Sequence, residues 1–103
     1  MKIIKQAAAI PFRIKKDKIE ILILTSRNKN KWIVPKGIIE KRHSAALTAL
    51  KETEEEAGVS GTIIREIVGS YKYEKWGGIC RVKVFPLQVH QYLLRTLSFF
   101  DLP

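Results

Sequence analysis

The segment from Ser44 to Val59 carries a start signal, a stop signal and two chemically opposed faces, and it limits the folds open to the chain more than any other stretch. Ser44 offers a side-chain oxygen to a first helical turn. Gly58, followed by apolar Val59, suits the left-handed position just past a helix end, so a helix is expected from Ser44 to about Ala57. On a helical wheel Ala46, Leu47, Leu50, Thr53 and Ala57 share one side. Glu52, Glu55 and Glu56 gather opposite, flanked by Ala45, Thr48 and Ala49. A helix of this kind lays one face on another layer and leaves the acidic face free. Glu54 falls out of phase, on the packing side, and the pattern gives no account of it.

Glu52, Glu55 and Glu56 lie three and four residues apart, so their carboxylates project from one side of the helix. With Glu54 they place four of the ten acidic residues within five positions, in a chain whose formal net charge is +9. Like charges at that density destabilise a bare helix. A hard divalent cation with oxygen ligands removes the repulsion; Mg²⁺ suits it best, because Mg²⁺ uses few carboxylates and keeps sites for waters and phosphates, with Mn²⁺ the alternative. The plainer reading is a solvated acidic face.

A chain of 103 residues holds one domain and one core, so fold and site share that core. Its composition is ordinary for a globular chain and its apolar runs are far below bilayer length, so no membrane partner and no targeting segment are expected. Cys80 is the single cysteine. It cannot form an internal disulfide, which fits a reducing cytoplasmic setting, and it reads as a small buried residue. The excess of Lys and Arg attracts polyanions: nucleic acid, an anionic membrane or phosphate-rich small molecules.

Ile3 to Ile14 reads as a strand and Lys15 to Lys18 as a polar turn. Ile19 to Thr25, with the unbroken apolar run Ile21-Leu22-Ile23-Leu24, reads as a strand covered on both faces. A basic loop spans Arg27 to Lys31. Trp32-Ile33-Val34 is a short apolar segment, and Pro35-Lys36-Gly37 a turn. Thr62 to Tyr73 reads as one strand, bulged at Gly69; Glu74 to Gly78 as a hairpin loop; Ile79 to His90 as a further strand, with Pro86 marking an edge or bulge. Residues 91–103 hold Tyr92, Leu93, Leu94, Leu97, Phe99 and Phe100 and form an apolar tail.

WIVPKG (Trp32 to Gly37), a loop, and a helix ending KETEEEAGV (Lys51 to Val59) together resemble the Nudix hydrolases, whose box is written GX5EX7REUXEEXGU with U aliphatic. Gly37, Glu52, Glu55, Glu56, Gly58 and Val59 fall on box positions. The segments AAAIPFR, ILILTSR, VGSYKY and CRVKVFPL are similar in texture to bacterial relatives of the diphosphoinositol polyphosphate and diadenosine polyphosphate hydrolases. Within the box, His43 replaces the first glutamate, Lys51 the arginine and Thr53 an aliphatic residue, and Glu54 occupies a position that is often large and apolar. Lys51 keeps the charge without the planar fork of arginine. His43 reads as a solvated loop residue.

The resemblance implies an α/β Nudix fold, an α/β/α sandwich with a mixed sheet and the box loop and helix. The domain is expected over residues 1–90. The tail 91–103 does not align and is assigned to the same domain, with the C-terminal helix shortened or missing. Exposed apolar surface there would favour a homodimer.

The resemblance also implies Mg²⁺-dependent hydrolysis of a diphosphate joined to another group, as in ADP-ribose or a dinucleoside polyphosphate. Glu52, Glu55 and Glu56 are the catalytic and metal-binding candidates, with the Gly37 carbonyl a further ligand by analogy. One glutamate would take a proton from the attacking water. Arg13, Arg27 and Lys36, and more weakly Arg81, are candidates for substrate phosphates. Tyr71, Tyr73 and Trp76 could stack on a base, although packing is the plainer role. Further acids that relatives recruit from later loops would here be Glu66, Glu74 or Asp101. His90 is unassigned. Two alternatives stay open: a catalytically weakened module that binds RNA or another polyanion, and removal of 5′ pyrophosphate from RNA.

Overall fold

The computed structural model describes residues 2–25, 32–93 and 99–101. Its centre is β1 (Lys2–Lys15), where Gln6, Ala7, Ala8 and Ala9 are all buried. Alanines there let other layers approach both sides of the strand closely. β1 runs parallel to β8 (Gly78–Tyr92) from Lys2↔Gly78 to Phe12↔Gln88. Its other edge is shared by β5 (Lys36–Ile38) and β2 (Lys18–Leu22), both antiparallel. The far edge of β8 is likewise shared, by β6 (Val59–Ile63) and β7 (Gly69–Lys75).

The helix α1 (Ala45–Ala57) lies on one face of this mixed sheet. Ala46, Ala49 and Ala57 form a core there with Ala7, Ala9, Phe85, Leu87 and Val89. The pleat sends alternate residues the other way. Ala8, Val82 and Val84 accordingly cluster on the opposite face with Ile10, Val34 and Tyr73. Cys80 is buried, as expected.

Three strand expectations need correction. Ile19 to Thr25 is not a strand covered on both faces: Ile19 is 46% exposed, and Leu22 is the one buried residue of β2. The ladder breaks at Ile23, and Leu24–Thr25 (β3) pairs instead with Trp32–Ile33 (β4) in a separate two-stranded sheet. An apolar run signals burial without saying on which strand a second layer falls, and here that strand is β1. Thr62 to Tyr73 is two strands rather than one bulged at Gly69. Residues 64–68 swing out of the ladder, held by Ile64 N–H to Pro86 O and Val68 N–H to Val84 O. Pro86, which has no N–H to offer, lies beside this gap. The loop expected over Glu74 to Gly78 is a two-residue turn, Trp76-Gly77, with φ of 54° and 70°. Lys16-Asp17 makes the matching turn between β1 and β2 with φ of 51° and 65°. Positive φ at both central residues suits the twist of a tight hairpin.

Among the described residues α1 is the one helix, and none is long and apolar enough to cross a membrane. Of the tail, Gln91 and Tyr92 extend β8 past the expected end at His90 and pair with β6, Leu93 N–H donates to Gly58 O at 2.7 Å, and β9 (Phe99–Asp101) pairs antiparallel with β2.

Candidate active site

The two ends of α1 form as the sequence predicts. The Ser44 hydroxyl accepts the Leu47 N–H at 3.0 Å, and Gly58 ends the helix at φ 69°, ψ 26°. The packing face is rotated from the expected one: Thr48 and Ala49 are buried, whereas Leu47 is 39% exposed. A sheet surface made of alanines accepts small side chains at close range and leaves the longer leucine outside. Thr53, standing where an aliphatic residue was expected, is fully buried and donates its hydroxyl to Ala49 O at 2.7 Å, which removes the cost of burying it. Glu54 accepts from the Ser60 hydroxyl, so its out-of-phase carboxylate ties the helix to β6.

This rotation brings the acidic edge of α1 onto β5. The Glu52 side chain lies against Gly37 so closely that a Cβ there would sit 2.0 Å from Glu52 Oε1. Only glycine leaves that space. One residue earlier, the Lys36 backbone N–H donates to Glu56 Oε1 at 2.9 Å. The glycine turn and the acidic helix, twenty residues apart in sequence at Lys36 and Glu56, thus meet in one corner.

The carboxylates feel one another. Burial, then the charges of Glu56, Glu55 and Glu40, raise the Glu52 carboxyl above the usual carboxylate range, with Lys51 opposing. Burial also raises Glu56, against the Lys36 N–H and the Lys36 charge, with Glu55 adding to the rise. Glu52 and Glu55 line a small hollow of about 100 Å³ with Glu40, His43, Thr48 and Lys51. The hydroxyl oxygen of Thr48 is buried with no hydrogen-bond partner. Glu40 is the acid that sequence reasoning missed. Its signal was available, an acid three residues after Gly37 in a loop whose expected glutamate position is taken by His43.

A hard divalent ion fits this corner by three signs: an all-oxygen donor set, mutual repulsion that a cation would relieve, and an orphaned hydroxyl in the same hollow. Among the described residues, however, no three of His, Cys, Asp and Glu are already gathered as a ligand set. The carboxylates are near neighbours that a metal would still have to draw together.

The other candidates scatter. Lys36 is in the corner through its backbone, and its ammonium lies 5.4 Å from the Tyr73 ring centroid on the sheet face away from α1. The Tyr73 hydroxyl donates to Gln6 Oε1 at 2.6 Å and its ring stacks on Tyr71, so Tyr73 is packed. Trp76 is not: it is 55% exposed at the hairpin turn, with Lys75 over its ring. Arg13 pairs across the strands with Glu20 at 2.5 Å and donates to the Tyr92 hydroxyl at 3.1 Å. Arg81 projects from β8 among other cations, in a row with Ile39 rather than Gly37. Arg27 and the Asp101 side chain lie outside the described residues and side chains. Glu66, Glu74 and His90 are exposed on other segments.

A family model described as the NUDIX domain matches residues 4–94. Diphosphoinositol polyphosphate phosphohydrolase 3-alpha of Homo sapiens is 38% identical over 61 residues, covering 59% of this chain and 37% of that protein. Nudix hydrolase 21, chloroplastic, of Arabidopsis thaliana is 38% identical over 88 residues, covering 80% of this chain and 44% of that protein. The chain therefore spans less than half the length of these relatives. Among solved structures, C. elegans Ap4A hydrolase superposes with a TM-score of 0.71 at 23% identity, over 97% of this chain and 81% of that one. A MutT/nudix family protein from Enterococcus faecalis gives 0.71 at 18% identity, over 98% and 44%. At such identities these two speak for the fold.

Proposed function

The chain belongs to the NUDIX domain family, and from that membership we propose that it hydrolyses a phosphoanhydride bond in a compound whose diphosphate is joined to another group, using a divalent cation, Mg²⁺ or Mn²⁺. The observation that carries the proposal is the corner itself, in which Gly37 admits the Glu52 side chain and the Lys36 N–H fixes Glu56. Glu52, Glu55, Glu56 and the Gly37 carbonyl would hold the ion. When bound, the ion neutralises charge on the nonbridging phosphate oxygens and lowers the pKa of a coordinated water.

The chain's own residues have three tasks. The Lys36 N–H restrains one Glu56 oxygen and leaves the other for a ligand. Glu52, half-buried and raised by its neighbours, is held where a cation best offsets its charge. The Lys36 ammonium, over Tyr73 on the face away from α1 but close enough to favour the charged form of Glu56, would meet a substrate phosphate that extends past β5 from the corner. One of the three glutamates accepts the water's proton. Substrates in this class include ADP-ribose, dinucleoside polyphosphates and, given the relatives' names, diphosphoinositol polyphosphates. The buried free Cys80 is in keeping with a cytoplasmic setting.

A second reading has its own support. Because no three ligands are gathered among the described residues, and Lys51 replaces the arginine of the box, the fold could serve as a polyanion-binding module without turnover. One panel separates the two readings. ADP-ribose, diadenosine polyphosphates, a diphosphoinositol polyphosphate, nucleoside triphosphates and 5′-triphosphorylated RNA are incubated with Mg²⁺ or Mn²⁺ and either the wild type or a Glu55→Gln/Glu56→Gln double variant. Cleavage of at least one compound by the wild type alone is expected; equal survival of all of them with both proteins would falsify the hydrolase reading.

A further inference from the structure

On the helix side of the sheet, three cations and one apolar side chain form a single transverse row. The Ile39 N–H donates to Lys5 O at 2.9 Å, Lys5 is registered with Arg81, and Arg81 with Lys72. In the next row Lys83 is registered with both Ala7 and Ser70. Strand alternation assigns the face: Ala7 belongs to the core under α1, and Lys5, two residues away, points to the same side. The helix-side core takes no residue from β7. Beside α1 the sheet is therefore open, and there it forms a trough of about 360 Å³, lined in part by Ser70, whose walls are mostly apolar, Ile39 and the stems of Lys5, Lys72, Arg81 and Lys83, all four of these cations being exposed.

Like charges registered across strands destabilise a sheet unless something neutralises them. Among the described residues the one ion pair is Arg13–Glu20, so none of these four cations meets a carboxylate in the fold. We propose that the trough is an anion site for a phosphate group of a small polyphosphorylated ligand, separate from the carboxylate corner. Arg81 presents a planar fork that can bind a phosphate through two hydrogen bonds, the lysines add mobile point charges, and the Ser70 hydroxyl adds a neutral donor. Ile39 closes one end. The volume is at the small end of the range for small-molecule sites, roughly 300–1,000 Å³, whereas a nucleic-acid strand needs a groove for about 4–16 nucleotides. Size therefore favours the small ligand.

The site goes beyond the hydrolase reading, and its test runs without divalent metal, so either can fail alone. The full chain is titrated calorimetrically with inorganic tripolyphosphate in EDTA at about 0.1 M salt, where remote charges are screened. One saturable site is expected. Arg81→Gln should weaken it about tenfold, as loss of a charge-assisted pair does, and Lys5→Gln and Lys83→Gln by about threefold each. Lys18→Gln, at the β1–β2 turn, and the Glu55→Gln/Glu56→Gln double variant should stay within about twofold of wild type. Equal weakening by Lys18→Gln and Arg81→Gln would mean diffuse attraction and overturn the site, as would absence of saturable binding. Displacement of tripolyphosphate by a single-stranded oligoribonucleotide lacking terminal phosphate, at lower concentration than tripolyphosphate itself, would overturn it in favour of nucleic acid.

Discussion

The acidic corner and the basic trough lie on the same side of one sheet but are built by different means. At the corner, backbone meets carboxylate: Gly37 touches Glu52, the Lys36 N–H holds Glu56, and Thr48 is sealed in beside them. In the trough, register alone brings Lys5, Arg81 and Lys72 into line, and their side chains remain exposed. Close packing makes geometry decisive, so one added methyl group can disable the corner. An open row of long side chains divides its hold on an anion among several members, so each loss weakens binding by a limited factor, the largest at Arg81. Substitutions should therefore act steeply in the corner and gradually in the trough.

Gly37→Ala is the sharpest way to break that contrast. The new Cβ would meet the end of a flexible side chain rather than backbone, so Glu52 moves and the fold survives. If the corner is catalytic, kcat/KM with the best substrate of the panel should fall about 100-fold, the cost of misplacing a reacting group by about 1 Å, with little change in melting temperature. A comparable fall from Lys83→Gln would erase the distinction between the regions.

Next in size is the response to metal. A ligand that binds only the native state at about 100 times its Kd stabilises by about 2.7 kcal/mol. Saturating Mg²⁺ should raise the melting temperature of the wild type and of Lys83→Gln alike. It should leave the Glu55→Gln/Glu56→Gln double variant nearly unmoved, and thermal melting with and without EDTA reads the difference.

How far each region was legible in the sequence follows from the same contrast. The corner was readable because its parts are marked locally: a cap at Ser44, a left-handed glycine at Gly58, acids at helical spacing, and a glycine at fixed distance from them. Rotation of the helix was not readable, because it depends on Ala7 and Ala9 of another strand being small enough to accept Thr48 and Ala49. The trough was unreadable for a similar reason. Lys72 and Arg81 face each other across the β7–β8 hairpin, but Lys5 is far from both in sequence, and only the parallel register of β1 with β8 brings it into their row. The apolar run at Ile21 to Leu24 misled because hydrophobicity reports a need for burial and not a place in the sheet order.

Helix support should give a smaller effect. Ser44→Ala removes the acceptor for Leu47 N–H and should cost about 1 kcal/mol in denaturant unfolding. Trp76→Ala, at the exposed hairpin turn beside the trough, should stay within about 0.5 kcal/mol. A larger loss at Trp76 than at Ser44 would mean that the open side of the molecule is better packed than the corner.

The smallest expected effect concerns Glu52 without metal, and its sign is the informative part. Burial, then Glu56, Glu55 and Glu40, raise this carboxyl above its value in an unfolded chain. Between those two values the native state holds more protons than the unfolded state, so this group's contribution to stability declines as pH rises through that window and is wholly unfavourable above it. Glu52→Gln removes the liability. In EDTA at neutral pH the variant should melt higher than wild type, by a shift on the order of 2 °C, and the gap should close as pH falls into the carboxylate range. With Mg²⁺ the order should reverse, since the ion stabilises the charge that the variant lacks. A variant that melts lower in EDTA at neutral pH would show that Glu52 is already satisfied by its protein neighbours, and the corner would then lose its electrostatic reason to recruit a cation.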